Sequence, residues 1–91
     1  YGGEEFCIIM PSTETSEAIE ICETFRQKVV ENKFSTFSEE LINLSISIGI
    51  TTFYGEDLTT PDRLIQSADI ALYKAKQEGR NRVIFESFMV K

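Results

Sequence analysis

Residues 42–51 read Ile-Asn-Leu-Ser-Ile-Ser-Ile-Gly-Ile-Thr. Ile42, Leu44, Ile46, Ile48 and Ile50 fall on one side, and Asn43, Ser45, Ser47, Gly49 and Thr51 on the other. Unbroken alternation with a period of two predicts a β-strand with one buried face. Small residues and a glycine on the second face leave room for something to lie against it.

Working outward towards the C-terminus, residues 54–60 form a polar loop that ends in Thr60-Pro61. Threonine is a good helix N-cap, and proline suits the first helical turn because its missing N–H would be unpaired there anyway. The helix that follows has its apolar stripe at Leu64, Ala68, Ala71, Leu72 and Ala75. Gly79 ends it, since a left-handed cap position favours glycine. A short strand over 82–86 closes the sequence.

Towards the N-terminus, residues 33–40 read as a polar connection carrying Phe34 and Phe37. Before it, Ala18, Cys22, Phe25 and Val29 recur at spacings of four, three and four, flanked by Ile21 and Val30. That pattern predicts a helix from about residue 16 to 32. Glu17 and Glu20 favour its positive end. Residues 6–10 are apolar throughout: Phe6, Ile8 and Met10 face one way, Cys7 and Ile9 the other, as in a strand interior to its sheet. Gly2-Gly3 in front of them is a hairpin-turn signal. A hairpin needs a strand before its turn, so the sequence is expected to begin inside a supersecondary unit of a longer protein. The order strand, helix, strand, helix, strand belongs to the mixed α/β or α+β classes.

Composition narrows the chemistry. The chain has 91 residues, which suits one domain, and 42% hydrophobic with 26% charged residues is a globular balance. A domain of this size buries only about 60–65% of its unfolded surface. Histidine is absent, which removes Ser-His and Cys-His catalysis and histidine-based zinc sites. Cys7 and Cys22 both sit inside apolar patterns and read as buried thiols in a reducing compartment. The net charge of −6 argues against a nucleic-acid polymer as partner. Lys74, Lys76, Arg80 and Arg82 nevertheless crowd into the stretch 74–82. A local cation cluster on an acidic body points to a small anion such as a phosphate ester, or else to compensation of a helix dipole.

Two segments could carry chemistry. In Gly2-Gly3-Glu4-Glu5-Phe6, a glycine turn admits a ligand close to backbone, and carboxylates are hard oxygen donors suited to Mg²⁺. Neighbouring strand residues point to opposite faces, so Glu4 and Glu5 are not expected to play equal roles. The plain alternative is an ordinary hairpin with solvated glutamates. In the second segment, residues 69–82, a turn of about 100° per residue puts Asp69, Tyr73 and Lys76 on one side of the helix. Arg80 follows the cap, so Lys76 and Arg80 could converge on one anion, while Lys74 falls on the opposite shoulder and is expected to be solvated. An anion there must overcome the negative end of the helix dipole.

Taken together, Gly-Gly-Glu-Glu-Phe at a hairpin, Ser47-Ile48-Gly49-Ile50 in a strand, and Ala71-Leu72-Tyr73 leading to Ala75-Lys76 and Gly79-Arg80-Asn81 resemble the diguanylate cyclase family, the GGDEF domains. The resemblance covers the whole chain, residues 1–91, as a partial GGDEF domain corresponding to the second half. It implies an α+β fold of the ferredoxin-like, nucleotidyl cyclase palm-like kind, with an antiparallel sheet and helices. It implies an enzyme that joins two GTP into cyclic di-GMP with release of pyrophosphate, using Mg²⁺ or Mn²⁺.

By that resemblance Glu4 is a metal ligand, and Glu5 serves a second metal or assists the attacking hydroxyl. Gly2 and Gly3 give backbone access to the nucleotide, and Lys76 and Arg80 contact phosphate. Glutamate at Glu4, where the family name has aspartate, is a common form of the motif. The family's upstream metal aspartate, guanine-reading residues, inhibitory product site and first strand are expected to lie outside this sequence. The missing strand would separate the one at 6–10 from the one at 42–50 and leave both with open edges. The chain alone is therefore expected to be inactive and to act as a homodimer, a strand-exchanged assembly or a piece docked on the missing half. The resemblance further implies an upstream sensor domain and cytoplasmic placement, with membrane tethering of the parent left open. The alternative function is a degenerate regulatory module that binds GTP or cyclic di-GMP without catalysis.

Overall fold

The computed structural model describes residues 8, 10, 12–35, 37–54 and 60–87. Along them run α1 (Thr15–Glu31), β1 (Lys33–Ser35), β2 (Leu41–Asn43), β3 (Ile48–Ile50), α2 (Pro61–Gln77) and β4 (Val83–Phe85). The class is α+β, as the resemblance implies. β1 and β2 pair antiparallel, with Phe34 opposite Ile42. β3 and β4 pair parallel, with Gly49 opposite Ile84, and α2 is the connection between them. The parallel ladder is extended at both ends, by Ile48 N–H donating to the Arg82 carbonyl at 2.9 Å and Glu86 N–H to the Ile50 carbonyl at 3.0 Å.

Both helices follow from their sequences. Thr60 caps α2: its hydroxyl oxygen accepts from the Arg63 N–H at 3.3 Å, and Pro61 opens the first turn. α1 starts after Glu14, whose carbonyl accepts from the Ala18 N–H at 2.9 Å. Its end is closed by Asn32, whose side-chain amide donates to the Lys28 carbonyl. The Thr15 hydroxyl meets the Thr52 hydroxyl at 2.5 Å and ties the start of α1 to the chain just beyond β3.

The space left by the small face of the central strand is filled by α2 itself. A Cβ added to Gly49 would lie 2.2 Å from the Leu72 amide nitrogen and 2.6 Å from the Ala68 carbonyl oxygen. The helix backbone thus rests directly on the strand, which its alanine stripe permits: Ala71 and Ala75 are wholly buried. Ala18 and Cys22 of α1 and Ile50 of β3 are the other buried apolar residues among those described.

Three expectations need correction. The alternating stretch is not one strand: β2 pairs with β1, β3 pairs with β4, and residues 44–47 between them join neither ladder. Alternation records which residues want cover, whereas strand structure needs a hydrogen-bonding neighbour, and the two ends of this stretch have different ones. Accordingly burial falls away along it: Ile50 is buried, but Leu44 is 45% exposed. Second, Phe34 lies in a strand rather than in a connection. Third, the predicted stripe of α1 is interrupted, because Phe25 is exposed. The strand expected over 6–10 lies largely outside the described residues; Ile8 and Met10 are described and sit in no strand.

Candidate functional site

The described half of the predicted site is the end of α2 and the turn that leaves it. Lys76 stands half-buried in the last helical turn. The helix closes with the Glu78 N–H on the Lys74 carbonyl at 2.9 Å and the Arg80 N–H on the Ala75 carbonyl at 2.8 Å. The second bond spans five residues and is the outer bond of a Schellman cap. It fixes the Arg80 backbone against the residue just before Lys76, which brings the two predicted phosphate cations to one helix end. Two carbonyls that would otherwise repel an anion are occupied by these bonds.

The turn has an unusual backbone. Gly79, Arg80 and Asn81 all have positive φ, at 130°, 63° and 51°. Glycine adopts such angles freely, and asparagine tolerates them. For Arg80 the conformation costs of order 1 kcal/mol, so neighbouring contacts must hold it. Several do. Arg82 Nε donates to the Arg80 carbonyl at 3.0 Å, with its guanidinium also 3.7 Å from Glu78. The Asn81 N–H donates to Ser47 Oγ at 3.1 Å. From α1, Arg26 Nη1 donates to Asn81 Oδ1 at 2.7 Å.

Arg26 and its partners brace the turn that carries Arg80, and the sequence alone did not single them out. A signal was present. Arg26 stands four residues after Cys22, itself four after Ala18, so a cation continues the buried line of α1. Its side chain is only 15% exposed and is paired with Glu23 through two hydrogen bonds. The Arg26 guanidinium holds the Glu23 carboxyl below its ordinary range, and Glu23 in turn raises Arg26. Burial pushes the neighbouring Cys22 thiol up, which keeps it protonated.

One detail of the cation cluster differs from expectation. Lys74 is not merely solvated: its ammonium donates to Glu86 Oε2 at 2.6 Å, just past β4. Asp69 and Tyr73, four residues apart, stand on an open face of α2. They line a shallow groove of about 440 Å³ together with Gln66, Ile70, Lys74 and Gln77. Within it the Gln77 amide donates to the Tyr73 hydroxyl at 2.9 Å. All six lining residues belong to α2, so the groove has one wall.

Gly2, Gly3, Glu4 and Glu5 lie outside the described residues, as does Cys7. Among the described residues, no group of three or more acidic or cysteine side chains could hold a metal ion. No described helix is long and apolar enough to cross a membrane.

Comparison with known proteins covers both halves of the predicted site. The family model for the diguanylate cyclase GGDEF domain matches residues 1–82. The chain is 42% identical over 85 residues to the response regulator PleD of Caulobacter vibrioides, covering 92% of this chain and 18% of that protein. It is 43% identical over 83 residues to diguanylate cyclase A of Treponema denticola, covering 91% of this chain and 22% of that one. It is 45% identical over 85 residues to diguanylate cyclase DosC of Escherichia coli, covering 91% of this chain and 18% of that one. The chain therefore spans about a fifth of the length of these curated relatives.

Proposed function

We propose a function from one premise: the chain belongs to the diguanylate cyclase GGDEF-domain family. It is a segment of an enzyme that makes cyclic di-GMP. The 3′-hydroxyl of one GTP attacks the α-phosphate of another and displaces pyrophosphate; done reciprocally, two GTP give one cyclic di-GMP and two pyrophosphates. The observation that supports this best is the braced turn after α2, which sets Arg80 beside the helix end carrying Lys76. Two cations at one capped helix end suit the phosphates of a bound nucleotide.

The roles follow. Lys76 and Arg80 take phosphate oxygens. Gly2 and Gly3 let the backbone approach the nucleotide. Glu4 and Glu5 are the residues that would hold Mg²⁺ or Mn²⁺, since hard carboxylate oxygens are the donors both ions prefer. Such an ion, when bound, supplies Lewis-acid polarisation of the phosphates. None of these roles requires histidine, in keeping with its absence from the sequence.

The reading extends to the whole protein. Many large apolar side chains of this chain are exposed, Phe25, Leu41 and Leu44 among them. That supports a chain that is inactive by itself and works against the rest of its domain, with two such domains meeting face to face or exchanging strands. Control by an upstream sensor domain and a cytoplasmic location, where GTP is found, complete the proposal.

The test uses the full-length protein with GTP and Mg²⁺, and product identified by chromatography. Cyclic di-GMP that disappears in Glu4→Ala is the expected result. A folded protein that binds GTP or cyclic di-GMP but forms no product would overturn the catalytic reading in favour of a regulatory one.

A further inference from the structure

We propose that Arg26 is a positioning residue for nucleotide binding: from α1 it grips Asn81 and so holds Arg80 at the end of α2. The proposal rests on the reading of Arg80 as a phosphate contact. Arg26 itself is not suited to meet phosphate. Its Nε and Nη2 are taken by the two oxygens of Glu23, and its side chain is largely covered. Glu23 fixes the plane of the guanidinium, and the remaining nitrogen, Nη1, faces the turn. There it donates to Asn81 Oδ1 at 2.7 Å, with the Asn81 carbonyl at 3.5 Å.

The turn needs such a grip. Arg80 and Asn81 are successive residues with positive φ, a conformation that side chains disfavour unless their surroundings select it. The Asn81 N–H is held by Ser47 Oγ from the chain entering β3, and the Asn81 side chain by Arg26 from α1. Two separate parts of the fold thus clamp the residue next to Arg80. Releasing the clamp lets Arg80 relax towards ordinary backbone angles, which changes the direction in which its side chain leaves the turn. The loss falls on binding and not on the chemical step, because Arg26 acts through Asn81 and Arg80, whose proposed part is to hold phosphate.

The experiment measures GTP affinity, and KM and kcat separately, in the full-length protein carrying Arg26→Ala, Asn81→Ala, Arg80→Ala and the Arg26→Ala/Arg80→Ala pair. Arg26→Ala is expected to weaken GTP binding roughly tenfold, the factor one lost hydrogen bond accounts for, with kcat little changed. Asn81→Ala should match it while leaving the Glu23–Arg26 pair whole, which covers the case in which Arg26→Ala does not fold. In the Arg80→Ala background, Arg26→Ala should have no further effect on GTP affinity. The same tenfold loss in both backgrounds would overturn the proposal, because Arg26 would then act elsewhere. Wild-type GTP affinity in folded Arg26→Ala and Asn81→Ala would overturn it too. If Arg80→Ala binds GTP like wild type, the phosphate reading fails and the proposal falls with it. Amide exchange at Arg80 separates that failure from an absent clamp: it is faster in Arg26→Ala if the clamp exists.

Discussion

Adding one methyl group at Gly49 tests the packing on which the site depends. In Gly49→Ala the new carbon would stand 2.2 Å from the Leu72 nitrogen, 2.6 Å from the Ala68 oxygen and 2.7 Å from the Leu72 Cα. Ordinary contact begins at 3.4 Å, so α2 must retreat from β3 by about 1 Å. All three atoms are main chain, and no rotamer change can clear them. Overpacking costs about 1–3 kcal/mol when side chains can yield, so the expected loss here is at the upper end, about 3 kcal/mol. That is about a hundredfold in the folding equilibrium, and roughly 12–24 °C in melting temperature for a domain of this size. Urea denaturation of wild type and variant, followed by helical circular dichroism, measures it. A second variant sharpens the test: Leu72→Ala trims a side chain but leaves the clashing nitrogen and Cα, so it should not rescue Gly49→Ala. A midpoint equal to that of wild type, or rescue by Leu72→Ala, would refute the close approach of helix and strand.

Other consequences can be measured in the same way. Thr60→Ala removes the α2 cap and should destabilise by about 1 kcal/mol, with Thr60→Ser recovering most of it; equal midpoints for all three proteins would discount the cap. The Glu23 carboxyl is held low by Arg26, so its stabilising contribution is complete above the ordinary glutamate range and is lost as pH falls below it. Glu23→Gln should therefore flatten the acid limb of the stability profile, and an unchanged limb would contradict the pairing. The Lys74–Glu86 pair is partly exposed, so a double-mutant cycle should give about 0–1 kcal/mol, shrinking with added salt.

The helices were legible from local chemistry alone. Thr60-Pro61 announces the start of α2, and the alanine stripe announces the face that β3 covers. The small face at Gly49 signalled a close neighbour, and the packing makes that neighbour the backbone of α2. Strand limits were not legible, because the residues that complete a ladder lie far away: Ile42 pairs with Phe34, and Ile48 with Val83. Alternation is the same on both sides of residue 44 and so cannot mark where one partner ends. In the site, Lys76 and Arg80 stood out by motif and charge. Arg26 was marked only by its place on the buried line of α1; its link to Asn81 spans 55 positions, and no local pattern encodes that partner. Lys74 was misread for the same reason: helical geometry gives its shoulder, but Glu86 comes to it from the far end of a crossover.

That crossover also bears on the order of events during folding. β3 and β4 run parallel, so no tight turn can bring them together, and the chain between residues 50 and 83 must first be folded back. Closing so long a segment carries its entropic penalty before any ladder bond forms, and only three residue pairs then repay it. The ladder cannot nucleate by itself; it condenses when α2 docks, and the turn at 79–81 is locked in that same step. A substitution at the start of α2 that slows its docking therefore delays the moment at which Arg80 takes up its place, although the two sites are nearly the length of the helix apart.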